Sequence, residues 1–236
     1  MHQASIQYTH AGATLEGVYV APDTATPHPA ILIAHAWGGR DAFVIDKARE
    51  LAALGYAAFA LDNYGKGVLG SGPEQNQKLM MPFLQDRALL RDRLTAALDC
   101  LRAQPGVDVS RIAIMGYCFG GLCALDLARS GADIRGAVSF HGLFLPPGLP
   151  QQPIRARVLA LHGYADPMVP PQQVLDFATE MTEAGVDWQL HAYGGVLHAF
   201  TVPEANDLAL GALYDARAAR RSWQAMLDFY AEIFAD

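Results

Sequence analysis

Charge is scarce in this chain. Asp, Glu, Lys and Arg make up 17% of its 236 residues and hydrophobic types 52%, whereas about a quarter charged is ordinary. What charge there is leans acidic, with 17 Lys and Arg against 24 Asp and Glu and a net charge of −7. No basic run is present, so a nucleic-acid partner, whose phosphates require clustered cations, is not expected. Long hydrophobic runs are also missing. The longest, Leu51 to Leu61, is far short of a membrane span, so no membrane partner is expected. The first ten residues carry neither a basic nor an apolar leader region, which argues against a secretory signal. Cysteine is limited to three residues, an odd count that suits no disulfide framework. Cys118 and Cys123 fall on different faces of one predicted helix. A reducing, cytoplasmic location is the simplest expectation. Eight histidines are present, but none stands in H-E-x-x-H or H-x-H spacing, and C-x-x-C is absent. Phosphate-cradling glycine motifs are missing as well. No metal site and no phosphate cradle is therefore expected.

What the chain does have is alternation of strand and helix. Residues 3–9 and 14–20 predict an opening hairpin, and Pro22 to Pro29 a loop. Buried-strand runs are expected at 30–36, 56–61, 111–115, 134–140, 156–161 and 187–193. Between them, Asp41 predicts the N-cap of a helix that Gly55 ends. Further helices are expected over 86–103, 121–129, 171–184 and 205–234. Residues 62–85 are rich in glycine and predict the longest irregular segment, closing in a short helical stretch, as one wall of a cleft. This order implies an α/β fold with a mostly parallel sheet covered on both faces. No linker interrupts it, so residues 1–236 are expected to form one domain without a large lid.

Gly116-Tyr117-Cys118-Phe119-Gly120 is the most informative stretch. It lies between the strand at 111–115 and the following helix. Strand, G-x-nucleophile-x-G, helix is the nucleophile elbow of α/β-hydrolases. The glycines are needed because side chains two positions either side of the turn would collide. The bland alternative is a buried, inert Cys. Two later segments argue against it. Asp166 follows the strand ending in His162-Gly163, and His198 follows the strand ending in Tyr193. Nucleophile, acid, His is the chain order of this fold. Cys118 would attack, His198 would carry the proton, and Asp166 would set the imidazole tautomer. The oxyanion hole is expected from the backbone N–H groups of Phe119 and Trp37, with Gly38-Gly39 letting the latter loop turn. His35 and His162, at strand ends near this site, are expected to be hydrogen-bonded packing residues rather than ligands.

Gly-Tyr-Cys118-Phe-Gly-Gly121, His-Gly-Tyr-Ala-Asp166-Pro, Leu-His198-Ala-Phe200 and Gly55-Tyr-Ala-Ala together resemble the dienelactone hydrolase family over nearly the whole chain. The resemblance implies a compact α/β-hydrolase, a Cys-His-Asp triad, activity on lactones or esters, and no cofactor. It also brings out departures. Well-known members carry a Glu where this chain has Ala36. They hold the substrate carboxylate with two Arg, which match Val202 and a position near Lys78. The implied substrate is a neutral ester or lactone rather than dienelactone. Tyr64, Phe83, Tyr117, Phe144 and Phe200 are candidate apolar walls. An uncharged phosphotriester would suit the same nucleophile. The rival class is a small-molecule-binding protein on a hydrolase scaffold, and transfer at a peptide, thioester or phosphoester is a third reading. A homodimer is compatible with the sequence.

Overall fold

The computed structural model describes residues 1–24, 26–150 and 152–235. Eight strands form one sheet: β1 (His2–His10), β2 (Ala13–Ala21), β3 (His28–Ala34), β4 (Ala57–Ala60), β5 (Val107–Tyr117), β6 (Gly136–Phe140), β7 (Arg157–Gly163) and β8 (Trp188–Tyr193). Their order is β1-β2-β4-β3-β5-β6-β7-β8. Pairings from β4 to β8 are parallel, and the hairpin β1–β2 adds an antiparallel edge. Ala11 and Gly12, both at positive φ, close that hairpin as a two-residue turn whose twist matches the strands.

Among the described residues six helices cover the sheet: α1 (Ala42–Ala53), α2 (Pro73–Gln85), α3 (Arg87–Arg102), α4 (Phe119–Arg129), α5 (Pro171–Glu183) and α6 (Ala216–Ile233). Asp41, Asp86 and Asp215 cap α1, α3 and α6 by accepting from Val44, Leu89 and Ala218 N–H. One face of the sheet buries Leu32, Phe59, Ile112 and Ile114 against α3, α4 and α5. The other buries Ile31, Ile33, Met115 and Val138 against α1 and α6. This alternation is the period-two signature of a sheet buried on both sides. Among the described residues no helix is long and apolar enough to cross a membrane.

Two elements differ from expectation. The stretch before α2 is irregular, but α2 itself runs for 13 residues. The last helix begins at Ala216, not at 205. Residues 206–213 instead form a two-stranded ribbon, β9 (Asn206–Asp207) with β10 (Ala212–Leu213). Non-local bonds select the ribbon. His198 N donates to Gly211 O at 2.9 Å and Leu213 N donates to His198 O at 3.0 Å. Gly211, at φ 68°, makes the turn.

Candidate active site

Cys118 sits between β5 and α4 at φ 55°, ψ −116°, a conformation an L-residue holds only under constraint. The constraint is close packing. A Cβ on Gly116 would strike the Gly120 carbonyl, and one on Gly120 would strike the Ala34 carbonyl. The elbow glycines thus have the steric role their spacing implies. Cys118 N donates to Phe140 O at 3.0 Å, and its own carbonyl accepts from Gly121 N at 2.9 Å. The turn is therefore bonded on both sides.

Asp166 and His198 meet across two stitched loops. Tyr164 N donates to Tyr193 O and Ala165 N to Val196 O, at 3.0 and 2.9 Å. Gly163 permits this approach, because a Cβ there would press on the Val196 and Leu197 carbonyls. Asp166 Oδ1 accepts from Met168 N at 2.8 Å, and Oδ2 pairs with His198 Nδ1 at 2.7 Å. Both residues are 3% exposed. His198 Nε2 is buried with no hydrogen-bond partner among the described residues, although His198 and Cys118 each shift the other's ionisation. An open contact of this kind is common before substrate binds.

Burial alone would push the Cys118 thiol up, but His198 and the backbone N–H groups of Phe119 and Trp37 bring it below its ordinary value. Burial likewise opposes a charged His198. The Cys118 thiolate and the Asp166 bond overcome it and push that imidazole up to about 10. Both shifts favour a thiolate–imidazolium pair, formed as pH rises through the lowered thiol value and lost as pH rises through the imidazole value. Iodoacetamide alkylation of Cys118 is therefore expected to inflect below the free-thiol value of about 8.5. A profile inflecting at or above that value would overturn the pairing. Cys123 is the contrast: buried, with Asn63 Nδ2 at 3.7 Å from its sulfur, it is pushed well up by burial.

The Trp37 loop is held from outside. Tyr64 Oη donates to Trp37 O at 3.0 Å and Gly70 N to Gly38 O at 2.9 Å. Asp62 shapes the Tyr64 turn by accepting from Tyr64 and Gly65 N–H, each at 2.9 Å. Tyr64, Phe83 and Phe119 form one aromatic group, with Tyr64 5.7 and 6.2 Å from the other two rings. His35 packs on Tyr64 and bonds through both ring nitrogens, to Ala36 O and Asn63 N.

Other expected site residues lie elsewhere. Tyr117 points to the opposite face of the sheet, packed on Phe43 and Phe140. Phe200 is fully buried between His141 and Tyr193. Phe144 stacks on Phe177 and lines a separate cavity of about 650 Å³. Each is a core residue, because strand alternation and loop packing turn its ring inward. Lys78 is 73% exposed on α2 and pairs with Glu74 at 2.6 Å. Val202 is half-buried just beyond the His198 loop. His162 is buried against Phe144, but neither of its ring nitrogens has a hydrogen-bond partner among the described residues, unlike the expectation. Burial lowers its pKa. Neither the 650 Å³ cavity nor a second of about 810 Å³ is lined by Cys118, Asp166 or His198.

His141, not among the expected site residues, also reaches the elbow. It follows β6, and its Nδ1 lies 3.1 Å from Cys118 N. No local motif marks it. Its place depends on β5 pairing with β6, which puts Tyr117 opposite Phe140.

A strained turn at the carboxyl edge of such a sheet, with an acid–His pair on later loops, is the architecture of the α/β-hydrolases. Comparison with known proteins narrows the class. The dienelactone hydrolase family profile matches residues 15–234, and the chain belongs to that family. It is accordingly a hydrolase, of a family acting on lactones and esters. Carboxymethylenebutenolidase of Pseudomonas putida is 30% identical over 227 residues, covering 92% of this chain and 91% of its own. A protein of Caenorhabditis elegans is 41% identical over 150 residues, 62% of this chain and 95% of its own. The crystal structure of a dienelactone hydrolase-like promiscuous phosphotriesterase from metagenomic libraries superposes with a TM-score of 0.91 at 34% identity, covering 98% of both chains.

Proposed function

We propose that this protein hydrolyses neutral carboxylic esters or lactones through a covalent Cys118 thioester. The observation that carries the reading is the buried Asp166–His198 pair at 2.7 Å, with Nε2 left without a hydrogen-bond partner among the described residues and coupled to a Cys in a strained elbow. The Cys118 thiolate attacks the carbonyl carbon, and the charge gathers on the carbonyl oxygen. The N–H groups of Phe119 and Trp37, which already act on the sulfur, are suited to hold that oxyanion. His198 imidazolium protonates the leaving alkoxide as the tetrahedral adduct collapses to a thioester. Neutral His198 then takes a proton from water, hydroxide attacks the thioester, and the acid leaves with the thiolate restored. A panel of chromogenic esters and lactones, run on wild type and Cys118→Ala, tests this. Turnover equal in both proteins would remove Cys118 from the chemistry.

The neutral preference rests on the missing carboxylate clamp. Val202 offers no charge, and Lys78 is engaged with Glu74 on an exposed face. An unpaired carboxylate in an apolar cleft costs several kcal/mol if left uncompensated. An ester is expected to show at least tenfold higher kcat/KM than its size-matched analogue bearing a free carboxylate. A higher value for the carboxylate analogue contradicts this reading of the pocket.

A second reading, phosphotriester turnover at the same Cys, is favoured by the structural relative named above. The oxyanion donors suit a phosphoryl oxygen, the substrate is uncharged, and a thiolate leaves phosphorus more readily than an alkoxide. Many turnovers per site with an aryl diethyl phosphate are expected, all lost in Cys118→Ala. One stoichiometric burst leaving a dead, phosphorylated enzyme contradicts it.

A further inference from the structure

His141 touches both working residues at once. Its Nδ1 lies 3.1 Å from Cys118 N, and its Nε2 lies 2.8 Å from Thr201 Oγ1. The Cys118 N–H is shared, donating to Phe140 O at 3.0 Å and to His141 Nδ1 at 3.1 Å. As a backbone N–H only donates, Nδ1 is the bare nitrogen and the ring proton sits on Nε2, donated to Thr201. The ring stands edge-on to His198 at 5.1 Å and 67°, with Phe200 against it at 5.1 Å. Three non-glycine residues at positive φ surround this point: Cys118 at 55°, His141 at 39° and Ala199 at 55°. Such strain persists only where neighbouring structure over-determines it. His141 is bonded to the first and is itself the second. Through Thr201, two positions beyond Ala199, it is tied to the third.

We infer that His141 is a positioning residue, a neutral strut that fixes the nucleophile's backbone and the base's ring in one frame. This rests on Cys118 and His198 holding the roles proposed above. The strut must stay uncharged, because a proton on Nδ1 would face the Cys118 N–H and add positive charge beside His198. Burial and the neighbouring His198 hold its pKa well down. Other titratable groups facing this frame include Tyr117 against His141, Tyr64 and Cys123 around Cys118, and Asp166 and His162 beside His198. Thr201 also lines the cavity of about 810 Å³, so its hydroxyl is replaceable without overpacking the core.

The test compares His141→Phe, His141→Asn, Thr201→Val and Cys118→Ala with wild type, measuring kcat, KM, Tm and the pH inflection of iodoacetamide alkylation. Asn places an amide oxygen close to where Nδ1 stood and keeps the second acceptor of the shared Cys118 N–H, beside Phe140 O. His141→Phe is expected to lower kcat about 100-fold with KM within about twofold, the size expected for misplaced reacting groups. Its alkylation inflection should move up toward the free-thiol value. His141→Asn should recover about tenfold of the loss, and Thr201→Val should lower kcat several-fold. A folded His141→Phe with wild-type kcat and inflection, altered only in Tm, overturns the inference, as does an Asn variant no better than Phe. If His141→Phe does not fold, wild-type kcat and inflection in both His141→Asn and Thr201→Val overturn it. Full activity in Cys118→Ala would instead sink the underlying assignment, so the two failures are read separately.

Discussion

Replacing Cys118 by alanine is expected to lower ester kcat/KM by roughly five orders of magnitude while leaving the fold intact. At about 1.4 kcal/mol per decade, that is roughly 7 kcal/mol of lost transition-state stabilisation, in the range found when a nucleophile is removed from a working triad. The fold should survive because only one sulfur is lost. The bonds that shape the elbow run through backbone atoms, Cys118 N to Phe140 O and Gly121 N to Cys118 O. The close approach of Gly120 to the Ala34 carbonyl is likewise untouched. Residual rate should remain from the Phe119 and Trp37 donors. Mass spectrometry of acid-quenched wild type should find an acyl group on the peptide carrying Cys118. An adduct on Cys100 or Cys123 instead would remove the assignment, and the environment of those thiols argues against it. Burial raises both, Cys123 far above its ordinary value.

The elbow was legible because its causes are local. A strand run, two glycines at fixed spacing and an apolar helix start all lie within residues 111–129, and each reflects a steric need seen in the folded chain. Asp166 and His198 were legible from chain order, since each follows a buried-strand run. The face of Tyr117 was also there to be read. Ala113, Met115 and Tyr117 share one face of β5, and Ile112 and Ile114 take the other, so period-two alternation already placed that ring in the α1–α6 core. What stayed hidden is non-local. Residues 205–213 contain Ala205, Leu208, Ala209 and Leu210, which suit a helix, yet two bonds from His198 hold them as a ribbon. His141 gains its partners only when β6 pairs with β5 and the His198 loop folds back over both. Propensity carries no trace of either event.

Asp166→Asn is expected to lower kcat/KM by about 10³- to 10⁴-fold, the second largest effect foreseen. The size follows from how the carboxylate is held. Oδ1 accepts from Met168 N at 2.8 Å and Oδ2 faces His198 Nδ1 at 2.7 Å. An amide at this position must keep its oxygen on Met168 N–H, because an NH₂ there would oppose a donor with a donor. The amide nitrogen is then forced to face His198. Two donors again conflict unless His198 gives up its Nδ1 proton and carries one on Nε2. That is the tautomer in which Nε2 points a hydrogen at Cys118 and has no lone pair to receive the thiol proton. The same tautomer defect costs a serine triad about 10⁴ in kcat. Loss of the carboxylate also removes support for imidazolium, so the alkylation inflection of Cys118 should rise toward the free-thiol value of about 8.5. Tm should change little, since the Met168 bond and the side-chain volume are kept. A kcat/KM within tenfold of wild type, with an unmoved inflection, would show that Asp166 does not set the orientation of His198.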